Sequence, residues 1–166
     1  MAQKLRVGIA GLGTVGVGVA KLFADPRGRL NEKMELVAVA ARDRARPRGA
    51  DFGAYRWHDG AEAMAADPDI DVFIELIGGA DGPAKRAVEM ALKRGAHVIT
   101  ANKALIATHG SALAELSEST GAKLLFEAAV GGGVPMVKAL RDSVAGCRAK
   151  SVAGILNGTC NFILTE

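Results

Sequence analysis

Gly11, Gly13 and Gly16 stand between an alternating apolar run and an amphipathic helical pattern, and nothing else in the chain restricts its fold as strongly. Residues 4–23 read KLRVGIAGLGTVGVGVAKLF: Leu5, Val7 and Ile9 alternate as in a strand, and a helix begins near Thr14. This is G-x-G-x-x-G in a strand-turn-helix context, which separates a dinucleotide fingerprint from a chance run of glycines. Gly11 permits the tight turn, Gly13 leaves room for a pyrophosphate, and Gly16 lets the helix lie close to the strand. The helix then directs its free N–H groups and positive dipole end at the phosphates.

The rest of the chain extends that pattern. Residues 35–41 (ELVAVAA) form a continuous apolar run, as expected of a parallel strand buried on both faces. Residues 41–60 are charged and aperiodic and read as loop. A short helix over 61–66 is closed by Asp67-Pro68. Further strands are expected over 70–77, 97–100 and 123–127, and a strand-like segment over 150–156. Helical spacing covers 82–94, 111–119 and 134–144, with Gly95, Gly121 and Gly146 after the respective segments. Strands alternating with helices imply right-handed crossovers, hence an α/β doubly wound parallel sheet of the Rossmann type. With 49% hydrophobic residues, 4% aromatics and 21 glycines, the composition suits aliphatic strands joined by tight turns.

Several function classes fall away. A net charge of +3 is far from the basic footprint of a nucleic-acid binder. Cys147 and Cys160 are too few for a disulfide scaffold and fit a reducing compartment. The N-terminus lacks a signal-peptide layout, and the uncharged run 7–20 is too short and glycine-rich to span a bilayer. A soluble cytoplasmic protein without nucleic-acid or membrane partners is expected. His58, His97 and His109 have no metal-ligand spacing.

Doubly wound sheets bind ligands beyond the carboxyl ends of their strands. That rule selects residues 11–16, 42–44, 77–79, 100–103 and 127–134. A carboxylate after the second strand would hold the ribose of NAD, but here the strand ends in Ala41 and Arg42 follows. A guanidinium there suits a 2′-phosphate, and one such contact is worth about 1.5–3 kcal/mol, which favours NADP. Asp43 keeps NAD use open if the loop is shifted by one residue. Arg44, Arg46 and Arg48 serve equally well as a solvated loop.

Thr100-Ala101-Asn102-Lys103 leaves a strand beside the expected nicotinamide. An ammonium at Lys103 would stabilise the negative charge that hydride addition builds on an aldehyde oxygen. The run from Glu127 to Pro135 carries three consecutive glycines whose carbonyls could bind a hard cation, although close helix packing explains them equally well. Cys160, within residues 157–161, is a candidate thiolate nucleophile for acylating aldehyde oxidation, with no partner base to support it.

With these segments in view the chain resembles homoserine dehydrogenases. The matching stretches are GIAGLGTVG (8–16), TANKALIA (100–107), EAAVGGGVPMVKALR (127–141) and GILNGTCNFILTE (154–166). The resemblance implies NAD(P)-dependent interconversion of L-aspartate 4-semialdehyde and L-homoserine, in threonine and methionine biosynthesis. It places Gly11, Gly13, Thr14, Val15 and Gly16 on the pyrophosphate and Arg42 on the adenosine phosphate. Thr100 and Lys103 would lie at the nicotinamide and substrate, with Lys103 catalytic. Carbonyl-rich coordination of a sodium ion is implied near Glu127, Val130, Gly132 and Val134.

The family's subunits are longer and form homo-oligomers. Residues 1–150 are therefore expected to be the NAD(P)-binding domain, and 151–166 the first edge of an α+β substrate and dimerisation domain. The acidic substrate ligands and a second lysine should lie in the remainder of that domain. On this reading the 166 residues bind cofactor weakly and turn over little. A non-catalytic NAD(P)-binding regulatory module and a dehydrogenase for another amino-acid aldehyde are the alternatives. Lys103 argues against the first, because a sensor has no use for an aldehyde-facing ammonium.

Overall fold

The computed structural model describes residues 3–153 apart from 145 and 149. Six strands form one parallel sheet: β1 (Leu5–Ala10), β2 (Met34–Ala40), β3 (Arg56–His58), β4 (Val72–Glu75), β5 (His97–Thr100) and β6 (Leu124–Leu125), in the order β3-β2-β1-β4-β5-β6. The chain therefore winds outward from β1 to β3, then crosses back to β4 and winds the other way. The reversal leaves a crevice at the carboxyl ends of β1 and β4.

The helices are α1 (Thr14–Ala24), α2 (Ala61–Ala65), α3 (Pro83–Lys93), α4 (Lys103–Thr120) and the short α5 (Glu127–Val130) and α6 (Met136–Lys138). Two apolar layers hold them to the sheet. One joins Ala38, Phe73 and Val98 to Met64 of α2, Val88 and Leu92 of α3, and Leu105 and Leu113 of α4. The other joins Val7, Ile9, Val39 and Ile74 to Ala20 and Phe23 of α1 and to Phe52. Both faces of the sheet are thus buried, as the unbroken apolar run of β2 requires. Among the described residues no helix is long and apolar enough to cross a membrane.

Several elements differ from the sequence expectation. The segment read as loop over 41–60 contains β3, whose Trp57 registers against Val39 of β2. Three residues are too few to show an alternation. Helix α4 begins at Lys103 and not at Ser111; only Leu105 and Leu113 are buried along it, so its first turns carry little amphipathic signal. The strand expected over 70–77 spans only Val72–Glu75, because the Ile77 and Gly78 N–H groups turn onto the Glu75 side chain. Glu127 lies in a helical turn rather than closing a strand, and residues 134–144 form α6 followed by a π turn, Ala139–Ser143. Residues 150–153 carry no strand, and the rest of that expected segment lies outside the described residues.

At the amino ends of the strands Arg6 grips Asp71. Its backbone N–H and Nε donate to Asp71 Oδ2 at 2.8 and 3.2 Å, and its Nη2 donates to Oδ1 at 3.1 Å. The hydrogen bonding and charge of the guanidinium hold the Asp71 carboxyl below its ordinary range. A depressed carboxyl stabilises the fold above its unfolded value, about pH 4, and loses that stabilisation as pH falls through the folded value. Asp71→Asn should therefore lower the urea midpoint at pH 7 and flatten its decline below about pH 4. An unchanged acid limb would show that other carboxyls govern it.

Candidate functional site at the carboxyl edge of the sheet

The first glycine turn is built as the sequence requires. Gly11 has φ +100°, and a Cβ on it would lie 2.4 Å from the Leu76 carbonyl oxygen. A Cβ on Gly16 would lie 1.9 Å from the Gly11 carbonyl oxygen, so α1 reaches its distance from β1 only with glycine there. Gly13 is different. Its backbone (φ −80°, ψ −164°) suits any residue, and a Cβ on it would meet nothing within 4 Å. No side chain caps the N-terminus of α1, and Thr14 and Val15 on its first turn are exposed. Its N–H groups therefore face open space, with the positive end of the helix dipole behind them.

That space is a cleft of ≈ 530 Å³ at the crevice between β1 and β4. Gly11, Leu12 and Gly13 form its floor, Leu76 and Ile77 one side, and Arg42, Asp43, Arg46 and Arg48 another. The four arginines sort themselves. Arg44 and Arg48 lie over the Trp57 ring, 5.2 and 5.7 Å from its centre. Arg48 also donates to the carbonyls of Asp43, Arg44 and Arg46, tying the loop together. Arg42 and Arg46 are exposed on the cleft and enter no ion pair among the described residues. Asp43 spends one carboxylate oxygen on the Ala45 N–H.

Thr100 and Lys103 are not part of the cleft lining. Thr100 ends β5 and Lys103 follows it, three strand spacings or about 14 Å from β2, at the other end of the same edge. Thr100 is fully buried, and its hydroxyl donates to Glu75 Oε2 at 2.5 Å while accepting the Asn102 N–H at 3.0 Å. Its side chain therefore faces inward, and any ligand contact from Thr100 falls to its main chain. Asn102 caps α4 by accepting the Leu105 N–H at 3.1 Å. Lys103, the first residue of α4, is exposed and outside the ion pairs of the described residues. Glu75 and Asn102 escaped the sequence reading. The first lies inside an apolar strand and the second inside a segment read for its lysine; only the placement of Asn102 three residues before Leu105 could have marked it as a cap.

Beyond β6, the Glu127 carboxylate accepts the Val137 and Lys138 N–H groups at 2.9 and 3.0 Å, capping the start of α6. The Glu127 and Val134 carbonyls accept the N–H groups of Gly131 and Met136. Val130, Gly132 and Val134 follow along this turn. Among the described residues no three His, Cys, Asp or Glu side chains are grouped to hold a metal, so a cation here would rely on carbonyls. His58, His97 and His109 are scattered on separate partners: Asp67, the Lys123 N–H and Asp81. Cys147 is exposed, and Cys160 lies outside the described residues.

Comparison with known proteins bears on the same edge. A family model described as "Homoserine dehydrogenase, NAD binding domain" matches residues 11–127, and one described as "Homoserine dehydrogenase" matches residues 135–166. A homoserine dehydrogenase from Synechocystis is 41% identical over 164 residues, covering 98% of this chain and 38% of that protein. One from Neisseria gonorrhoeae is 42% identical over 168 residues, with coverages of 99% and 38%. The crystal structure of a homoserine dehydrogenase from Thiobacillus denitrificans superposes with a TM-score of 0.85 at 36% identity, over 98% of this chain and 38% of that one. The chain thus spans less than two-fifths of the length of these relatives.

Proposed function

The chain belongs to the homoserine dehydrogenase family, and on that premise we propose that it is the dinucleotide-binding portion of an enzyme interconverting L-aspartate 4-semialdehyde and L-homoserine. The observation that carries this reading is the open Gly13 at the uncapped N-terminus of α1, over a cleft at the point where the sheet reverses. Residues 1–150 act as the NAD(P)-binding domain, and 151–166 begin the substrate and dimerisation domain. The enzyme works in the cytoplasm as a homo-oligomer.

Gly13, Thr14, Val15 and Gly16 hold the pyrophosphate through main-chain N–H groups and the dipole of α1, and Gly11, whose own N–H is taken by the Ala40 carbonyl, makes the turn that brings them to it. Arg42 takes the adenosine 2′-phosphate, which makes NADP the preferred cofactor and NAD the alternative. The bound nicotinamide supplies or accepts the hydride. Thr100 borders its site through the main chain, and Lys103 stabilises negative charge on the carbonyl oxygen of the substrate. A sodium ion would be held at the turn from Glu127 to Val134 by the carbonyls of Glu127, Val130, Gly132 and Val134, since the Glu127 carboxylate is engaged by α6.

Titration with NADPH and NADH, followed by nicotinamide fluorescence, tests the cofactor assignment. Wild-type chain should bind NADPH more tightly. Arg42→Ala should weaken NADPH binding by roughly tenfold to a hundredfold, the worth of one charge-assisted contact, and change NADH binding less than about twofold. Equal losses for both dinucleotides would remove Arg42 from the 2′-phosphate.

A further inference from the structure

Glu75 is a fully buried carboxyl group at the end of β4, beside neither a lysine nor an arginine in any ion pair of the described residues. Its partners are all donors. Oε1 accepts the Ile77 and Gly78 N–H groups at 2.7 and 3.0 Å, and Oε2 accepts the Thr100 hydroxyl at 2.5 Å. The β4–β5 register places Glu75 directly beside Thr100, so this last contact follows from the sheet. The chain of bonds continues outward. The Thr100 hydroxyl accepts the Asn102 N–H, Asn102 Oδ1 caps Leu105, and Asn102 Nδ2 donates to the Gly79 carbonyl at 2.7 Å.

Two segments at the nicotinamide end are therefore fixed to one buried group: the turn over 76–79 and the first turn of α4, which carries Lys103. An ordinary core position would hold an apolar side chain here at less cost in desolvation. We propose that Glu75 is the positioning residue of the nicotinamide end of the site, setting the 76–79 turn and, through Thr100 and Asn102, the location of Lys103. The inference rests on the cofactor reading above. It assigns to Glu75 no contact with cofactor or substrate.

Glutamine at 75 keeps the shape but brings an NH₂ donor to a place where every partner already donates. The test compares NADPH with 2′-phospho-ADP-ribose, which lacks the nicotinamide, on the 166-residue chain. Glu75→Gln should weaken NADPH binding about tenfold and leave binding of the shorter ligand within about twofold. Thr100→Val should do the same, whereas Thr100→Ser, which keeps the hydroxyl, should recover most of the affinity that Thr100→Val loses. The Leu105 amide resonance should shift in Glu75→Gln and Thr100→Val and stay in place in Thr100→Ser. Equal weakening of both ligands would assign Glu75 to general stability and overturn the proposal, as would unchanged NADPH binding. If wild type binds neither ligand, the cofactor reading itself fails and this inference falls with it. If Glu75→Gln does not fold, the threonine pair decides the matter by the same comparison.

Discussion

Alanine at Gly13 should leave the protein folded and weaken its dinucleotide binding, whereas alanine at Gly16 should damage the fold itself. The two glycines belong to one fingerprint, yet their surroundings are opposite. A methyl group on Gly16 would sit 1.9 Å from the Gly11 carbonyl oxygen, where only backbone can give way. Relief requires α1 to move off β1, disturbing the packing of Ala20 and Phe23. Such overpacking costs about 1–3 kcal/mol or more, a fall of several degrees in the unfolding midpoint for a chain of this size. A methyl group on Gly13 meets no protein atom and imposes no backbone strain, so the midpoint should hold or rise slightly. It would project into the space proposed for the pyrophosphate. Loss of one charge-assisted contact there weakens NADPH binding by about tenfold to a hundredfold. Thermal melts of both variants, with NADPH titration of Gly13→Ala, give the answer. Normal NADPH binding by Gly13→Ala would mean that the N-terminus of α1 does not cradle the phosphates.

What the sequence disclosed follows from how far each structural cause extends along the chain. The glycine spacing, the apolar run of β2 and the glycine after α4 are local causes, and each is legible within a few residues. Gly121, for example, has φ +71° and closes α4 where the helical spacing ends. Arg42 also lies where counting from the end of β2 puts it, on the cleft. Features that depend on a distant partner were hidden. Strand β3 exists because Trp57 finds Val39, and nothing within residues 56–58 announces that pairing. Glu75 reads as a polar flaw in an apolar strand until Thr100, 25 residues later, is set beside it by the sheet. The same blindness affected the arginines. Composition made Arg44, Arg46 and Arg48 equivalent, and only the position of the Trp57 ring separates the two that stack on it from Arg46, which does not.

Removing the ammonium at Lys103 should reduce turnover by roughly a hundredfold to a thousandfold while leaving stability and cofactor affinity nearly intact. The placement of this lysine makes little sense as a stabilising device. It opens α4, so its charge lies at the positive end of the helix dipole, an arrangement that costs about 0.3–1 kcal/mol rather than helping. It is exposed and forms none of the ion pairs seen among the described residues. Lys103→Ala should therefore melt at or slightly above the wild-type temperature. On the proposed reading, the same two fields, ammonium and helix terminus, converge on the aldehyde oxygen that gains negative charge. A donor of this kind is worth about 3–4 kcal/mol to the barrier when it acts in the transition state. Binding of the ground-state substrate draws on it much less, so the loss should appear in kcat with little change in KM for NADPH. The measurement is aspartate 4-semialdehyde reduction by the full-length polypeptide, with Lys103→Arg and Lys103→Ala compared. Arginine keeps the charge but changes the reach and donor geometry, and should recover only part of the rate. If Lys103→Ala turns over like wild type, the charge on the oxygen is met by another group and Lys103 has no part in the chemistry.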